Sequence, residues 1–202
     1  MDEPQMTFTV VGPTATRTSR VLWCLEELGL PFKRQIARPH SPEINALNPL
    51  KQVPVLIDGD TVLTDSTAIL YFLSDRESRL THNPGTHARA TMDARIAFLL
   101  TKLEVPMWMR SRHTYVLPED MRRSEVIPPL ETDFKLAQSK FHKLRGDAEF
   151  FAGDDFTIVD IIATHCLYWA SDFWKLNQAS EDYLNRMKSR PAWTSSRKEP
   201  DA

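Results

Sequence analysis

Strand-forming patterns occupy only the first third of this 202-residue chain, and that imbalance constrains the fold more than any other feature. Residues 7–11 alternate and are rich in β-branched and aromatic side chains, which predicts a strand, and residues 32–36 are predicted to form a second strand. Within residues 53–63, Asp58-Gly59 stands between two apolar runs, which is the strongest short-range signal of a β-hairpin. Beyond residue 86 the apolar residues recur only at helical spacing, so a small mixed domain must be followed by an all-helical one.

Two helices complete the predicted first domain. From Arg20 onward the apolar residues share one helical face, and Gly29 followed by Pro31 predicts the end of this helix. A second helix is expected to begin at Asp65-Ser66, because aspartate and serine favour helix starts. The order strand, helix, strand, hairpin, helix within about the first 75 residues is that of a thioredoxin-like domain.

A polar stretch separates the two predicted domains. Residues 74–86 contain the breaker Asn83-Pro84-Gly85, so we expect domains at residues 1–80 and 86–202. The fold class is therefore α+β, with a thioredoxin-like N-terminal domain and an all-helical C-terminal bundle. Four helices are expected in the bundle. The first covers residues 87–113 and should kink or end at Pro106, and the second covers residues 118–143 with a break near Pro128-Pro129. The third begins at Thr157 and the fourth covers residues 181–189.

The helix that begins at Thr157 carries a capping box. Thr157 can accept a hydrogen bond from the first turn while Asp160, three residues later, reaches back to the start of the helix. This motif concerns folding of the bundle and implies nothing about substrate.

Composition excludes several classes of function. The net charge is -2 and the pI is about 6.3, so no basic surplus indicates binding to nucleic acid or acidic lipid. No apolar run approaches the ~18 residues of a membrane-spanning helix, and the N-terminus lacks a signal-peptide pattern, so a cytoplasmic protein is expected. The 2 cysteines, Cys24 and Cys166, lie far apart, and the 6 histidines are scattered, so no metal site is expected.

Five segments in a fixed order resemble one known family. The resemblance is to bacterial and fungal members of the glutathione transferase superfamily that have a Ser/Thr-Arg-Ser/Thr-x-Arg motif in the first helix. Any one segment is weak, but together they cover nearly the whole chain. The segments are residues 17–31, similar to the first helix, residues 48–56, similar to the family's Asn-Pro-x-x-x-Val-Pro segment, residues 64–73, residues 156–160 and residues 190–192.

The resemblance implies a site for the tripeptide glutathione in the first domain. In the family the bond before the proline of the Val-Pro pair is cis, and the valine backbone pairs with the cysteinyl part of glutathione. A helix start receives the glutamyl carboxylate, since helix N-termini bind anions. The residues implied are Lys51, Gln52, Val53, Pro54, Asp65 and Ser66. Without the resemblance, Pro54 would be a strand start, Asp65-Ser66 a plain cap and Lys51 a solvated charge.

The resemblance also implies that the protein promotes ionisation of the glutathione thiol to a thiolate. A free thiol has a pKa of about 8.5, and the family lowers it with a hydroxyl donor beside the first helix. The first serine of the family motif aligns with Thr16, whose methyl group restricts rotation of the hydroxyl. Thr14 and Thr18 remain alternative donors, or all three threonines only cap the helix. Cys24 lies inside the helix and is expected to be a core residue rather than a nucleophile.

The function implied is a glutathione transferase that conjugates the glutathione thiolate to small electrophilic compounds, with glutathione as co-substrate and a homodimer as the assembly. Trp108, Arg112 and Tyr115 are the candidates for the second-substrate pocket. The alternatives are a glutathione-dependent disulfide reductase or peroxidase, or a non-catalytic glutathione-binding scaffold on the same fold.

Overall fold

A computed structural model of the chain describes residues 7–198. Contacts between α-carbons divide these residues into two compact units. The first contains residues 7–81 and residues 188–198, and the second contains residues 82–187. The C-terminal segment, which the sequence assigned to the helical domain, therefore lies in the first unit.

The first unit is built on a four-stranded mixed sheet. Its strands are β1 (Phe8–Val11), β2 (Phe32–Gln35), β3 (Val55–Asp58) and β4 (Thr61–Thr64), in the order β2-β1-β3-β4. β1 is parallel to β2 and antiparallel to β3, and β3 and β4 form a hairpin. The predicted strands and the predicted hairpin are confirmed.

Three helices alternate with these strands along the chain: α1 (Thr18–Leu28) follows β1, α2 (Pro42–Leu47) follows β2, and α3 (Ser66–Glu77) follows β4. α1 ends at Gly29, whose φ of 71° is left-handed, as the Gly-x-Pro signal predicted. The sequence reading missed α2, although Ser41 caps it and a proline opens it. α3 runs to Glu77, so the connection to the second unit begins later than residue 74.

Helices α1 and α3 pack on each other over an apolar core. Its members are fully or almost fully buried, and each buried leucine or isoleucine contributes about 1.5–3 kcal/mol through loss of water-exposed surface. They include Val21, Leu22 and Leu25 of α1, Ile69, Leu70 and Leu73 of α3, and Val10 and Leu56 of the sheet. A second cluster, of Val11, Ala37, Ile44 and Val55, packs α2 onto the sheet.

The second unit begins with α4 (His87–Phe98) and α5 (Glu104–Ser111), each followed by a π-helical turn, Leu99–Leu103 and Arg112–Val116. The sequence predicted a kink or an end at Pro106, and the helix does not end there, since α5 continues to Ser111. Proline lacks an N–H and its ring crowds the preceding turn. The wider turn just before it, in which the Glu104 N–H bonds to the Leu99 carbonyl, relieves that crowding.

Three further helices complete the second unit: α6 (Ile127–Arg145), α7 (Ile158–Ser171) and α8 (Gln178–Lys188). The predicted helix from residue 118 is wrong in its first part, where two short 3₁₀ turns stand instead. Pro128-Pro129 does not interrupt α6 but opens it, because proline is tolerated in the first turn of a helix. The capping box of Thr157 and Asp160 at the start of α7 is confirmed.

A last short helix, α9 (Pro191–Ser196), packs on α1 within the first unit. The rings of Trp23 and Trp193 meet edge to face with centroids 5.0 Å apart. The Arg190 guanidinium donates two hydrogen bonds, of 2.7 and 2.8 Å, to the Glu27 carboxylate. These contacts explain why the end of the chain belongs with the sheet. Among residues 7–198, no helix has the length and the apolar character needed to cross a membrane.

Candidate functional site

Three strand ends meet at one end of the sheet. Val55, the first residue of β3, pairs with Val11 at the end of β1 and with Thr64 at the end of β4. The chain segments that follow β1, precede β3 and follow β4 therefore leave the sheet together. These segments contain Thr16, Val53-Pro54 and Asp65-Ser66, so pairing register alone brings most of the predicted glutathione residues to the same region.

Gly12 allows two of these segments to approach closely. Its φ is 138°, and a β-carbon at this position would lie 2.3 Å from Thr18 Oγ1 and 3.0 Å from Val53 Cβ. The start of α1 and the Val53-Pro54 segment thus both pack against this glycine. The Val53-Pro54 peptide bond is cis, as the resemblance implied. Neither the N–H nor the C=O of Val53 makes a hydrogen bond within the described chain, so both are available to an extended ligand.

A small hydroxyl cluster stands at the start of α1. Thr16 Oγ1 donates to the Pro13 carbonyl at 2.8 Å, lies 2.9 Å from Thr18 Oγ1 and accepts from the Thr18 N–H at 3.2 Å. Thr18 is fully buried, whereas Thr16 is partly exposed. Thr14 Oγ1 accepts a bond from the Arg34 guanidinium of β2. Of the three candidate threonines, Thr16 thus combines partial exposure with direct contact to the first turn of α1.

The start of α3 leaves one backbone donor unsatisfied. Asp65 caps the helix, since its Oδ1 accepts from the N–H groups of Thr67 and Ala68 at 2.9 and 3.0 Å. Its carbonyl accepts from the Ile69 N–H at 3.0 Å. Within the helix, the N–H groups of Ser66, Thr67 and Ala68 have no helical partner, and of these three only that of Ser66 lacks a hydrogen bond in the described residues.

A buried arginine donates a hydrogen bond to the Ser66 side chain. Arg20, in the first turn of α1, has 1% of its surface exposed, and its Nη1 donates to Ser66 Oγ at 3.3 Å. Ser66 itself is 2% exposed. The start of α3 therefore combines an unsatisfied N–H, a serine hydroxyl and a nearby positive charge, which is an arrangement suited to a carboxylate.

Lys51 and Gln52 lie in a turn that the Asn48 side chain holds. Asn48 Nδ2 donates to the Gln52 carbonyl at 2.9 Å, and Asn48 Oδ1 accepts from the Leu50 N–H at 2.9 Å. Lys51 adopts a left-handed φ of 58°, and the side chains of Lys51 and Gln52 are exposed. The turn directly precedes Val53-Pro54, so it lies beside the same end of the sheet.

The candidates for the second substrate all lie in the second unit. Trp108 belongs to α5 and Arg112 follows it by four residues, so helical spacing puts them on one face. Both are partly buried, and Arg112 Nε is buried without a hydrogen-bond partner in the described residues. Tyr115 lies in the π-helical turn that follows and is 58% exposed.

Cys24 cannot serve as a nucleophile. Its side chain is fully buried inside α1, and burial raises the pKa of its thiol far above the ordinary value, with the Glu27 carboxylate adding to the shift. The thiol therefore stays protonated at neutral pH. No group of three or more histidine, cysteine, aspartate or glutamate side chains in the described part of the chain is arranged to hold a metal ion.

Three residues that shape this region were not predicted as site residues: Gly12, Arg20 and Asn48. Arg20 carries the clearest signal, because it stands four residues before Cys24 and eight before Leu28, on the face that the helix buries. A charged residue on a buried face needs a polar partner, and here one such partner is Ser66.

Comparison with known proteins finds similarity to glutathione S-transferases. Residues 16–76 match the family described as "Glutathione S-transferase, N-terminal domain". A glutathione S-transferase of Triticum aestivum is 23% identical over 172 residues, which are 83% of this chain and 80% of that protein.

Two solved structures have the same fold. One is a theta class glutathione S-transferase from Xanthomonas axonopodis pv. citri with glutathione bound, with a TM-score of 0.79, 21% identity and coverage of 95% of this chain and 97% of that one. The other is the glutathione transferase URE2P6 from Phanerochaete chrysosporium in complex with oxidized glutathione, with a TM-score of 0.81, 21% identity and coverage of 95% and 94%. In its N-terminal family match, in its relatives and in its fold, the chain is similar to glutathione transferases.

Proposed function

We propose that this protein binds glutathione and conjugates its thiolate to small electrophilic compounds. One observation carries the proposal: the backbone groups of Val53 and the N–H of Ser66 lack hydrogen bonds within the described chain. Unsatisfied backbone groups are uncommon in folded proteins and are usually completed by solvent or ligand. Two solved proteins of similar fold contain glutathione or oxidized glutathione, which supports the same ligand here.

Each part of glutathione has a proposed partner. The glutamyl carboxylate binds the hydroxyl and N–H of Ser66, and the glutamyl ammonium group lies near the Asp65 carboxylate. The cysteinyl backbone pairs with the N–H and C=O of Val53, which cis-Pro54 follows, in the manner of an added strand. The glycyl carboxylate faces Lys51, with Gln52 beside it.

Thr16 is the proposed donor to the sulfur. The thiol loses its proton to solvent, and the thiolate takes the Thr16 proton as a hydrogen bond in place of the Pro13 carbonyl. The exchange is favourable because a charged acceptor forms a stronger hydrogen bond than a neutral one. Thr16 Oγ1 can still accept from the Thr18 N–H, and the positive end of the α1 dipole adds to the effect. The sulfur then attacks the electrophilic carbon, a C–S bond forms, and the leaving group departs with the bonding electron pair.

Trp108, Arg112 and Tyr115 are proposed to contact the electrophile, and the family resemblance implies a homodimer. A disulfide reductase that uses its own cysteine is not supported, because Cys24 and Cys166, the 2 cysteines of the chain, are both buried.

A second candidate function, glutathione binding without catalysis, does have a specific observation behind it. The Thr16 hydroxyl already donates to Pro13, so the protein could bind glutathione without activating it.

Calorimetry with glutathione and a rate assay with an aryl halide test the proposal together. We expect saturable glutathione binding and a conjugation rate above that of the uncatalysed reaction. Binding without conjugation, over several aryl halides and alkyl electrophiles, would support the non-catalytic candidate. The absence of glutathione binding would reject both.

A further inference from the structure

We propose that Arg20 is a positioning residue for a ligand carboxylate at the start of α3, and that it acts through Ser66 without touching the ligand. In glutathione this group is the glutamyl carboxylate, so the inference rests on the function proposed above. Its basis is the contact between a buried guanidinium of α1 and the first residue of α3.

The contact connects two helices that are distant in sequence. Arg20 Nη1 lies 3.3 Å from Ser66 Oγ, across a separation of 46 residues, and both side chains are almost fully buried. An arginine side chain is charged at all ordinary pH values. A buried charge needs polar partners, and Ser66 is one of the partners of this guanidinium. Because Ser66 is the first residue of α3, the guanidinium also lies close to a helix start, where anions bind.

The contact determines where the Ser66 proton can point. A serine hydroxyl has one proton to donate and two lone pairs that accept. The Arg20 guanidinium can only donate, so it occupies a lone pair of Ser66 Oγ. In the described residues the hydroxyl has no acceptor for its own proton. That proton is therefore available to a ligand, together with the unsatisfied Ser66 N–H.

Charge adds to this geometry. The effective dielectric constant near a buried group is lower than in water, so the guanidinium attracts a carboxylate at Ser66 more strongly than an exposed arginine would. A lysine has a shorter reach and no planar fork, and would not replace it. Arg20 thus fixes the donor and adds attraction, while Ser66 makes the direct contact.

The test compares two ligands that differ by one carboxylate: glutathione and 4-aminobutyryl-cysteinyl-glycine, which lacks the glutamyl α-carboxylate. Calorimetry gives the ratio of their dissociation constants for wild type, Arg20→Met, Ser66→Ala and the double variant. Wild type should prefer glutathione by about 10- to 100-fold, the range for one or two bonds to a charged group. Arg20→Met should reduce that preference by about tenfold, and the double variant should lose less than the product of the two single losses.

Arg79→Met is the matched control. Arg79 belongs to the same unit and donates to the carbonyls of Leu28 and Glu27, so its removal affects packing near α1 without reaching Ser66. The control should keep the wild-type preference for glutathione. If Arg20→Met also keeps it, or if the losses of Arg20→Met and Ser66→Ala multiply in the double variant, the inference is wrong.

A measurement on wild type covers the case in which Arg20→Met fails to fold. The side-chain N–H resonances of Arg20 in an NMR spectrum should shift on addition of glutathione and stay in place with the decarboxylated ligand. Equal shifts with both ligands, or none with either, would overturn the inference. If the proposed glutathione-binding function is wrong, wild type should bind neither ligand, and this result differs from every result that concerns Arg20. Equal wild-type affinity for both would overturn the role of Arg20 alone.

Discussion

The hydroxyl of Thr16 carries a single proton, and in the proposed mechanism the acceptor of that proton decides whether bound glutathione is activated. In the structure the proton goes to the Pro13 carbonyl, and Thr18 supports the oxygen from its buried side. Rotation about one bond redirects the proton, so the same side chain can serve either a carbonyl or a thiolate. The methyl group of threonine limits that rotation more than a serine would.

Replacing Thr16 with valine tests this residue directly. Thr16→Val keeps the shape and removes one bond to a charged group, worth about 1.5–3 kcal/mol. We expect a roughly 10- to 100-fold slower conjugation rate, with glutathione affinity changed much less. Thr16→Ser, which keeps the donor, should be as active as wild type or more active.

Two matched variants show whether the donor is assigned correctly. Thr18→Val removes a buried hydroxyl that lies 2.9 Å from Thr16 Oγ1, and Thr14→Val removes the oxygen that accepts from the Arg34 guanidinium. Each should slow conjugation less than Thr16→Val does. A larger effect at either position would show that the hydroxyl donor to the sulfur is Thr14 or Thr18, two residues from Thr16.

At the scale of elements, a single buried carboxylate organises the start of α7. Asp160 accepts hydrogen bonds from the N–H groups of Phe151 and Thr157 at 2.8 and 2.9 Å and from the Tyr183 hydroxyl at 2.5 Å. Burial raises the pKa of Asp160, against the effect of these donors, and burial together with the Asp160 charge raises that of Tyr183. The carboxylate thus ties α7 to α8 and to the loop before α7.

Asp160→Ala should lower the melting temperature strongly. It leaves several buried donors unsatisfied at about 1–3 kcal/mol each, so a loss above about 3 kcal/mol is expected. Asp155→Ala, five residues earlier and exposed, is the control and should melt as wild type does. Folded Asp160→Ala protein should bind glutathione normally, and a loss of binding in calorimetry would contradict a purely structural role.

The contact between α6 and α8 predicts a pH dependence of stability. His142 Nε2 lies 2.8 Å from Ser180 Oγ, and burial, followed by the Arg145 charge, lowers the pKa of His142. As the pH falls through the ordinary histidine pKa of about 6.5, His142 binds a proton in the unfolded chain but remains neutral in the folded one, because its pKa there is lower. The contribution of His142 to stability is therefore present above that pH and lost below it.

Melting temperatures measured between neutral and mildly acidic pH test this point. His142→Gln should flatten the decline on the acid side, whereas His87→Gln, at an exposed position, should leave it as in wild type. An unchanged slope in His142→Gln would show that other groups cause the decline.

Elements that are specified by a few neighbouring residues in the sequence were predictable. Elements that depend on packing or on where a helix begins were less predictable. The Asp58-Gly59 turn and the Thr157 capping box each need only a few neighbouring residues, and both are confirmed. Proline was harder, because its effect depends on where the helix begins. Pro128 opens a helix and Pro106 follows a widened turn, and neither arrangement is visible in the residue pattern alone.

For the whole molecule, the sequence predicts which segments form the candidate site, but not how their polar groups are satisfied. Motif order and strand pairing bring Val53 and Ser66 to one end of the sheet. The Arg20 contact to Ser66 spans 46 residues, and the Thr16 contact to Pro13 depends on a side-chain rotamer. Both require the packed helices, so both lie beyond what a residue pattern can give.

The central claim is that this protein binds glutathione and ionises its thiol beside Thr16. A titration of thiolate absorbance, with glutathione saturating the protein, measures that ionisation directly. The account predicts that the apparent pKa of the bound thiol lies about 1–2 pH units below its ordinary value of about 8.5, the shift that one bond to a charged group supplies. A bound thiol that titrates at the ordinary value, or glutathione that does not bind, would contradict it.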